Sequence, residues 1–173
     1  MKKQNKVRSL IVCGLFSAII AVLTFIHIPL PSGIPLTLQI FAVALCGYTL
    51  GSLRGISSTA VYIALGAVGL PVFSGFMGGV AHLAGPTGGF LWGFLLLAAL
   101  CGLAAGRKFG VRLLIGCAGL TVCHLCGVLQ FSFVMKCSVG EAFLIASAPY
   151  LIKDAILTAA AAAVSARMRE RVN

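Results

Sequence analysis

One stretch of the sequence, Gly69–Phe94, is apolar and has no charged side chain, yet it is poorly suited to form one straight helix. Its glycines and prolines make a continuous helix costly. Side chains such as Phe73 and Phe76 are, in turn, too apolar for a freely solvated loop. Non-helical backbone is tolerated at membrane depth only where protein or a water-filled cavity satisfies its amides and carbonyls. The stretch therefore predicts a folded cap over a cavity, and the alternative is a tight turn whose glycines only ease helix packing.

The composition places this stretch in a membrane protein. The chain is 60% hydrophobic and 9% charged, with a mean hydropathy of +1.10, whereas a soluble domain has about a quarter charged residues. A membrane-spanning helix needs about 20 mostly apolar residues, so the chain has room for about six. We therefore expect a single transmembrane domain over residues 1–173. The apolar run after the basic amino terminus is too long for a signal peptide and is assigned to the first helix.

Glycines, prolines and charged residues divide the chain into six apolar segments, which predicts an all-α integral membrane protein. The predicted spans are Ser9–Ile28, Leu36–Leu53, Gly55–Leu70, Gly88–Gly106, Arg112–Met135 and Ala142–Ala166. The second and third spans are separated at "GSLRG", since one unbroken helix would be far longer than a bilayer is thick.

The positive charges predict the orientation of these spans. Eleven of the 13 lysines and arginines fall at helix ends on one side, and the opposite loops hold only Lys136. Both termini are therefore expected to be cytoplasmic, with the Gly/Pro-rich loop between the third and fourth helices outside. The net charge of +10 is explained by topology and contact with the lipid bilayer. We expect no nucleic-acid partner, because the charges form no basic face.

Charge within the last predicted span indicates a functional site. Lys153 and Asp154 lie near its middle, and ionisable residues at membrane depth usually face the bundle interior. Adjacent residues point in different directions on a helix, so the two groups need not pair and could address different parts of one ligand. The alternative is that Lys153 extends outward to the interface and Asp154 bonds to hydroxyls of a neighbouring helix.

The first outer loop and the second helix add polar candidates on the same side. Pro29, Pro31 and Pro35 stiffen the loop. Gln39 is expected to point inward while Thr37 helps to start the helix; a hydrogen bond from Gln39 to a neighbouring helix is the alternative.

Three further features have both a functional and a structural interpretation. His82 in the cap could contact a ligand or be a solvated or locally bonded side chain, and Thr87 could contact a ligand or cap the fourth helix. "CHLC", Cys123–Cys126, resembles the start of a soft-metal site, but two thiols and one imidazole leave it incomplete. We expect no metal and interpret the seven cysteines as small apolar packing residues.

Sequence motifs argue against an enzyme. The chain has no G-x-x-x-x-G-K-[ST] phosphate loop and no evident Ser/His/Asp or paired-carboxylate arrangement. If the protein transports a solute against a gradient, the energy therefore has to come from elsewhere.

Three segments resemble a known family. "IPLTLQIFAVALCGYTLGSLRG" is similar to its P-x-T-x-Q-x-F segment, "YIALGAVGLPVFSGFMGG" followed by "GPTGGFLWGF" to its G-L-P-V-F…G-P-T-G-G-[YF] signature, and "APYLIKDAIL" to its P-[FY]-x-x-x-D ending. These are features of the BioY proteins, the biotin-binding S components of energy-coupling factor (ECF) transporters. The resemblance covers nearly the whole chain.

Two departures from the family pattern stand out. The family commonly has a lysine three residues after the aspartate, where this chain has Leu157, and a lysine at position 153 directly precedes the aspartate instead. Either Lys153 substitutes for the family lysine from another angle, or the lysine function is missing here. The first helix of the family docks to a membrane subunit through alanines at AxxxA spacing. Here the corresponding small residues are Gly14 with Ala18 and Ser17 with Ala21.

The resemblance implies high-affinity biotin binding and uptake without a cofactor. It also implies a membrane coupling subunit, two cytosolic ATPases and a place in the bacterial cytoplasmic (inner) membrane. Asp154 would accept the ureido N–H groups, and a lysine or amide would meet the ureido oxygen or the ligand carboxylate. The expected ligand-binding residues are Lys153, Asp154, Gln39, Phe73, Gly79, His82, Thr87 and Phe90.

Two alternative functions stay open at this point. An S component for thiamine or riboflavin would need several aromatic rings around a flat ligand. A self-sufficient small-solute carrier would need a polar path across the membrane and more titratable groups.

Overall fold

A computed structural model describes residues 2–29 and 34–172, with side chains for residues 6–29 and 34–168. Pro31 of the first outer loop lies outside this range, as do the side chains of Lys2, Lys3, Arg169 and Arg171, which contributed to the predicted orientation. The helices are α1 (Lys2–Phe25), α2 (Gln39–Leu50), α3 (Ser52–Ala67), α4 (Val80–Ala84), α5 (Gly88–Leu103), α6 (Phe109–Met135), α7 (Val139–Ala146) and α8 (Leu151–Val172). Between α1 and α2, strands β1 (His27–Ile28) and β2 (Leu36–Thr37) pair antiparallel. The all-helical prediction is confirmed, apart from this small ribbon.

Helix length identifies some membrane-crossing candidates directly. Residues Lys6–Phe25 of α1 and all of α6 are long and apolar enough to span a bilayer, and α7 with α8 forms a third candidate bent by 59°. Helices α2 and α5 are apolar but have only 12 and 16 residues, which is shorter than the roughly 20 of a full span.

Helix α2 lies at the centre of the bundle. Nearly all of its residues are buried, and it packs against α1, α3, α5 and α8. Glycine allows this close packing: a Cβ at Gly47 would lie 2.5 Å from the carbonyl oxygen of Ala98 in α5. The break predicted at "GSLRG" is confirmed, because Gly51 separates α2 from α3 with φ of +83°.

As predicted, the Gly/Pro-rich stretch does not form one straight helix. After α3 the chain reverses through Gly69, with φ of +102°, and makes a bridge between Phe73 and Met77 before the short helix α4. The ring of Phe73 fills a notch at Gly66 of α3, where any Cβ would overlap with it. This segment is therefore packed onto the end of α3.

The prediction of one continuous helix over the last span, Ala142–Ala166, is wrong. The chain forms α7 and α8 instead, separated by residues 147–150. Pro149 lies in this break, and proline disfavours helical backbone in the residue before it while suiting a helix start. Asp154 consequently lies in the first turn of α8 rather than near the middle of a helix.

Candidate ligand-binding site

A cavity of about 420 Å³ lies where the ribbon, α2, the segment after α3, α5, α6 and the α7–α8 break meet. Its size is within the range of about 300–1,000 Å³ that small-molecule sites usually have. The bend between α7 and α8 brings the first turn of α8 to the cavity wall.

Lys153 and Asp154 form an ion pair at this wall. Nζ of Lys153 lies 2.7 Å from Oδ1 of Asp154 and donates a hydrogen bond of 2.9 Å to the carbonyl of Thr37. The two groups therefore pair in the structure, although their adjacent positions on a helix did not require it. The ammonium is bonded at the ribbon, and Asp154 is only 4% exposed.

His124 of α6 approaches the carboxylate from the other side. Its Nε2 lies 3.3 Å from Oδ2 of Asp154, and its Nδ1 lies 2.8 Å from the hydroxyl of Ser147. Sequence reasoning considered this histidine only within the "CHLC" motif, and missed it as a site residue. The available signal was an ionisable side chain inside an apolar span. In the described part of the chain, no group of three histidine, cysteine or acidic side chains is arranged to hold a metal.

Several buried polar atoms are left with hydrogen-bonding capacity. Among the described residues, Oδ1 of Asp154, Nε2 of His124 and the hydroxyl of Ser74 are buried without a hydrogen-bond partner. The close approaches of Lys153 and His124 to Asp154 thus lack hydrogen-bond alignment. Since leaving a buried polar group unsatisfied costs about 1–3 kcal/mol, these atoms favour a ligand with matching donors and acceptors.

Gln39 connects the cavity to the segment after α3. Its Nε2 donates to the hydroxyl of Tyr62 at 2.7 Å, and that hydroxyl donates to the carbonyl of Val72 at 3.1 Å. Gln39 points inward, as expected, and also bonds to a neighbouring helix, which was the alternative. The hydroxyl of Thr37 accepts a 3.4 Å bond from the Gln39 backbone N–H, as its expected role in starting the helix requires.

Aromatic side chains form the apolar walls. The Phe73 ring stacks on His82 with centroids 5.2 Å apart, and Phe90 meets the His124 ring edge-on at 5.6 Å. Burial lowers the pKa of His82 from its usual value, so the neutral imidazole is favoured. The cavity therefore combines an apolar wall with a carboxylate and an ammonium.

The structure places most of the predicted site residues around this cavity. Those that line it are Gln39, Phe73, His82, Thr87, Phe90, Lys153 and Asp154. Gly79 lies outside the lining, where its N–H donates to the carbonyl of Gly66 at 2.7 Å and it precedes α4. Thr87 holds the N-cap position of α5 without a side-chain capping bond. The lining residues that sequence reasoning did not select include His27, Ser74, His124 and Tyr150.

The small residues of α1 do not share one environment. Gly14 and Ala18 are exposed and Ala21 is half-buried. Ser17 is turned into the bundle, where its hydroxyl donates to the carbonyl of Ser58 at 2.7 Å. Ser17 therefore belongs to the contact between α1 and α3, whereas Gly14 and Ala18 lie on the exposed face of α1.

A bundle of apolar helices around an internal cavity with a buried carboxylate defines a helical membrane protein with a small-molecule site. The chain belongs to the BioY family, whose model matches residues 1–173. The resemblance drawn from the sequence motifs is thus confirmed.

Curated relatives and a solved structure agree with this assignment. The chain is 41% identical over 165 residues to "Biotin transporter BioY" of Thermotoga maritima, covering 94% of this chain and 96% of the relative. It is 38% identical over 136 residues to "Probable biotin transporter BioY" of Pyrococcus horikoshii, covering 79% and 81%. A crystal structure of the S-component for biotin from an ECF-type ABC transporter matches with a TM-score of 0.88 at 26% identity, over 98% of this chain and 95% of that one. With its apolar helices, the chain is a multi-pass protein of the cytoplasmic membrane.

Proposed function

We propose that this protein binds biotin with high affinity and takes it up across the cytoplasmic membrane as the substrate-specific subunit of an ECF-type ABC transporter. The observation that carries the proposal is the buried Asp154 carboxylate, which faces a cavity of about 420 Å³ with apolar walls. The relatives named as biotin transporters and the solved biotin S-component support it.

The chemistry of biotin suits this cavity. The carboxylate of Asp154 accepts a ureido N–H, while Lys153 and Gln39 offer donors to the ureido oxygen or to the ligand carboxylate. The rings of Phe73 and Phe90 cover the thioether ring and the alkyl chain.

Lys153 takes the role of the lysine that the family commonly places three residues after the aspartate. Leu157, which occupies that position here, packs against the hydrophobic core and is not among the residues that line the cavity. Lys153 Nζ, in contrast, lies beside the carboxylate. The ammonium thus enters the same cavity from a different position on α8.

The proposal includes a topology and partners. Six membrane segments, with α7 and α8 forming the last, leave both termini in the cytoplasm and the segment after α3 outside as a cap. A membrane coupling subunit docks on the exposed face of α1 at Gly14 and Ala18, and two cytosolic ATPases supply energy. The protein itself is proposed to have no enzymatic activity.

Calorimetric titration of the detergent-purified protein with biotin, thiamine and riboflavin tests the ligand. Asp154→Asn is expected to weaken biotin binding at least tenfold, which is about 1.4 kcal/mol. Glu141→Gln is the matched control, because it neutralises an exposed carboxylate that forms a capping box with Ser138. Failure to bind biotin after removal of co-purified ligand, with binding of another vitamin, would overturn the specificity.

A second experiment tests the partners. Biotin uptake by cells is measured with this chain alone and with coexpressed coupling and ATPase subunits. Uptake that needs an intact ATPase supports the transporter assignment. Full uptake by the chain alone, in a host without such subunits, supports a self-sufficient carrier instead.

A further inference from the structure

His124 and Ser147 make a buried chain of polar contacts that ends at the proposed ligand-binding carboxylate. His124 is 5% exposed and Ser147 is fully buried. They come from different elements, since His124 lies in α6 and Ser147 caps the carboxyl end of α7. The contacts thus join three parts of the chain at Asp154.

The break between α7 and α8 sets the position of the Ser147 hydroxyl. The Ser147 carbonyl accepts the N–H groups of Tyr150 at 2.9 Å and Leu151 at 3.2 Å, which form the first turn into α8. The same residue therefore fixes the start of α8 and meets His124 through its side chain. Asp154 follows in that first turn.

The partners of the two imidazole nitrogens determine where the proton lies. An ionised carboxylate only accepts hydrogen bonds, so the nitrogen that faces Asp154 Oδ2 at 3.3 Å is favoured as the protonated one. The Ser147 hydroxyl can donate to Nδ1 of a neutral imidazole or accept from an imidazolium. Either arrangement leaves an N–H on Nε2, the ring nitrogen that lies 3.3 Å from the carboxylate oxygen.

We infer that His124, held by Ser147, is a positioning residue that fixes the Asp154 carboxylate for the ligand. Lys153 Nζ lies at Oδ1 and His124 Nε2 lies at Oδ2, so each oxygen has a positive group or a donor beside it. Each carboxylate oxygen has a second lone-pair direction. The carboxylate is thereby held in one orientation while it can still accept a ligand N–H. This inference rests on the proposed function only for the identity of the ligand.

Two substitutions at position 124 separate positioning from packing. His124→Gln keeps an amide N–H near the place of Nε2, whereas His124→Asn places its amide near Nδ1 and leaves Asp154 without this donor. We expect His124→Asn to weaken biotin binding about tenfold and His124→Gln to stay within about threefold of the natural protein. Thr121→Ala is the control on α6, because its hydroxyl is exposed and bonds only to the preceding turn.

A double-mutant cycle tests whether His124 acts through the carboxylate. In an Asp154→Asn background, His124→Asn should add less than about twofold, because residues in one network are not additive. Ser147→Ala should weaken binding about threefold in the natural background and add nothing once Asp154 is changed. Multiplicative losses for either pair would overturn the positioning role.

Nitrogen NMR of the ligand-free protein gives a readout that does not depend on biotin. The chain has three histidines, and His124→Gln assigns the signal of interest in ¹⁵N-histidine-labelled protein. A proton on Nε2 is the expected result, and a neutral ring protonated only on Nδ1 would overturn the inference. If the natural protein binds no biotin while Nε2 is protonated, the proposed ligand fails and the arrangement around Asp154 stands.

Discussion

Lys153 donates a hydrogen bond of 2.9 Å to the backbone carbonyl of Thr37, 116 positions earlier in the chain. The contact joins the first turn of α8 to the edge of the β1–β2 ribbon. Because the same ammonium lies 2.7 Å from the Asp154 carboxylate, one cation holds the ribbon and balances the buried negative charge. The ribbon and the carboxylate are therefore coupled through Lys153.

Replacing this cation tests its two roles. Lys153→Gln should weaken biotin binding about tenfold and lower the stability of the ligand-free protein by up to about 3–5 kcal/mol, since Asp154 loses its counter-charge. Calorimetry and thermal unfolding in detergent measure the two effects. Leu157→Met, at the family's usual lysine position, is a volume-conserving control expected to change binding little. Equal losses from both substitutions would contradict the assignment of the ammonium role to Lys153.

Much of the architecture could be predicted from the composition and from the residues that interrupt helices, but the position of the break in the last span could not. Apolar runs and Gly51 identify helices regardless of their partners. Pro149 was visible in the sequence, yet a proline in a membrane helix can be accommodated by a kink as well as by a break. Only packing against α6 decides that Ser147 and Asp154 both turn toward His124. A histidine in an apolar segment reveals nothing about its partner until α6, α7 and α8 are placed together.

The hydroxyl of Tyr62 links Gln39 to the cap segment, and its removal should affect ligand binding. Tyr62→Phe takes away the bonds to Gln39 and to the Val72 carbonyl. We expect about 1–3 kcal/mol of destabilisation and a loss of biotin affinity of about threefold to tenfold. The variant is compared with the natural protein by thermal unfolding and calorimetry.

Tyr48→Phe is the matched control for this experiment. Tyr48 is equally buried, but its hydroxyl donates to the carbonyl of Arg112 at 2.7 Å, and it does not line the cavity. Its removal should lower stability by a similar amount and leave biotin affinity unchanged. A similar affinity loss in both variants would show that any buried tyrosine hydroxyl affects binding through general stability.

The histidine stacked on Phe73 predicts how stability depends on pH. Burial lowers the pKa of His82, whereas the unfolded chain takes up a proton near the ordinary value of about 6.5. The unfolded state therefore binds more protons than the folded state in this pH range. The neutral His82 stabilises the folded state above the unfolded pKa, and this contribution is lost as the pH falls from that pKa toward the lower folded pKa.

Thermal unfolding of the ligand-free protein between pH 7.5 and pH 5 measures this dependence. These pH values lie about 1 unit above and about 1.5 units below the ordinary histidine pKa. His82→Gln should be less stable at neutral pH, because it loses the ring contact, but should lose less stability on acidification. An unchanged slope in this variant would contradict the titration of His82 as the cause.

The outward face of α1 predicts which substitutions disturb the proposed transporter complex. Gly14 and Ala18 are exposed on this helix, and small residues let another helix approach closely. Ala18→Leu should therefore reduce copurification of the coupling and ATPase subunits about tenfold or more while biotin binding by the isolated protein is preserved. Ser17→Ala removes a buried hydrogen bond to Ser58, and should lower stability by about 1 kcal/mol without loss of copurification. The opposite pattern, with complex formation lost only in Ser17→Ala, would place the docking surface elsewhere and attribute the loss to a weakened contact between α1 and α3.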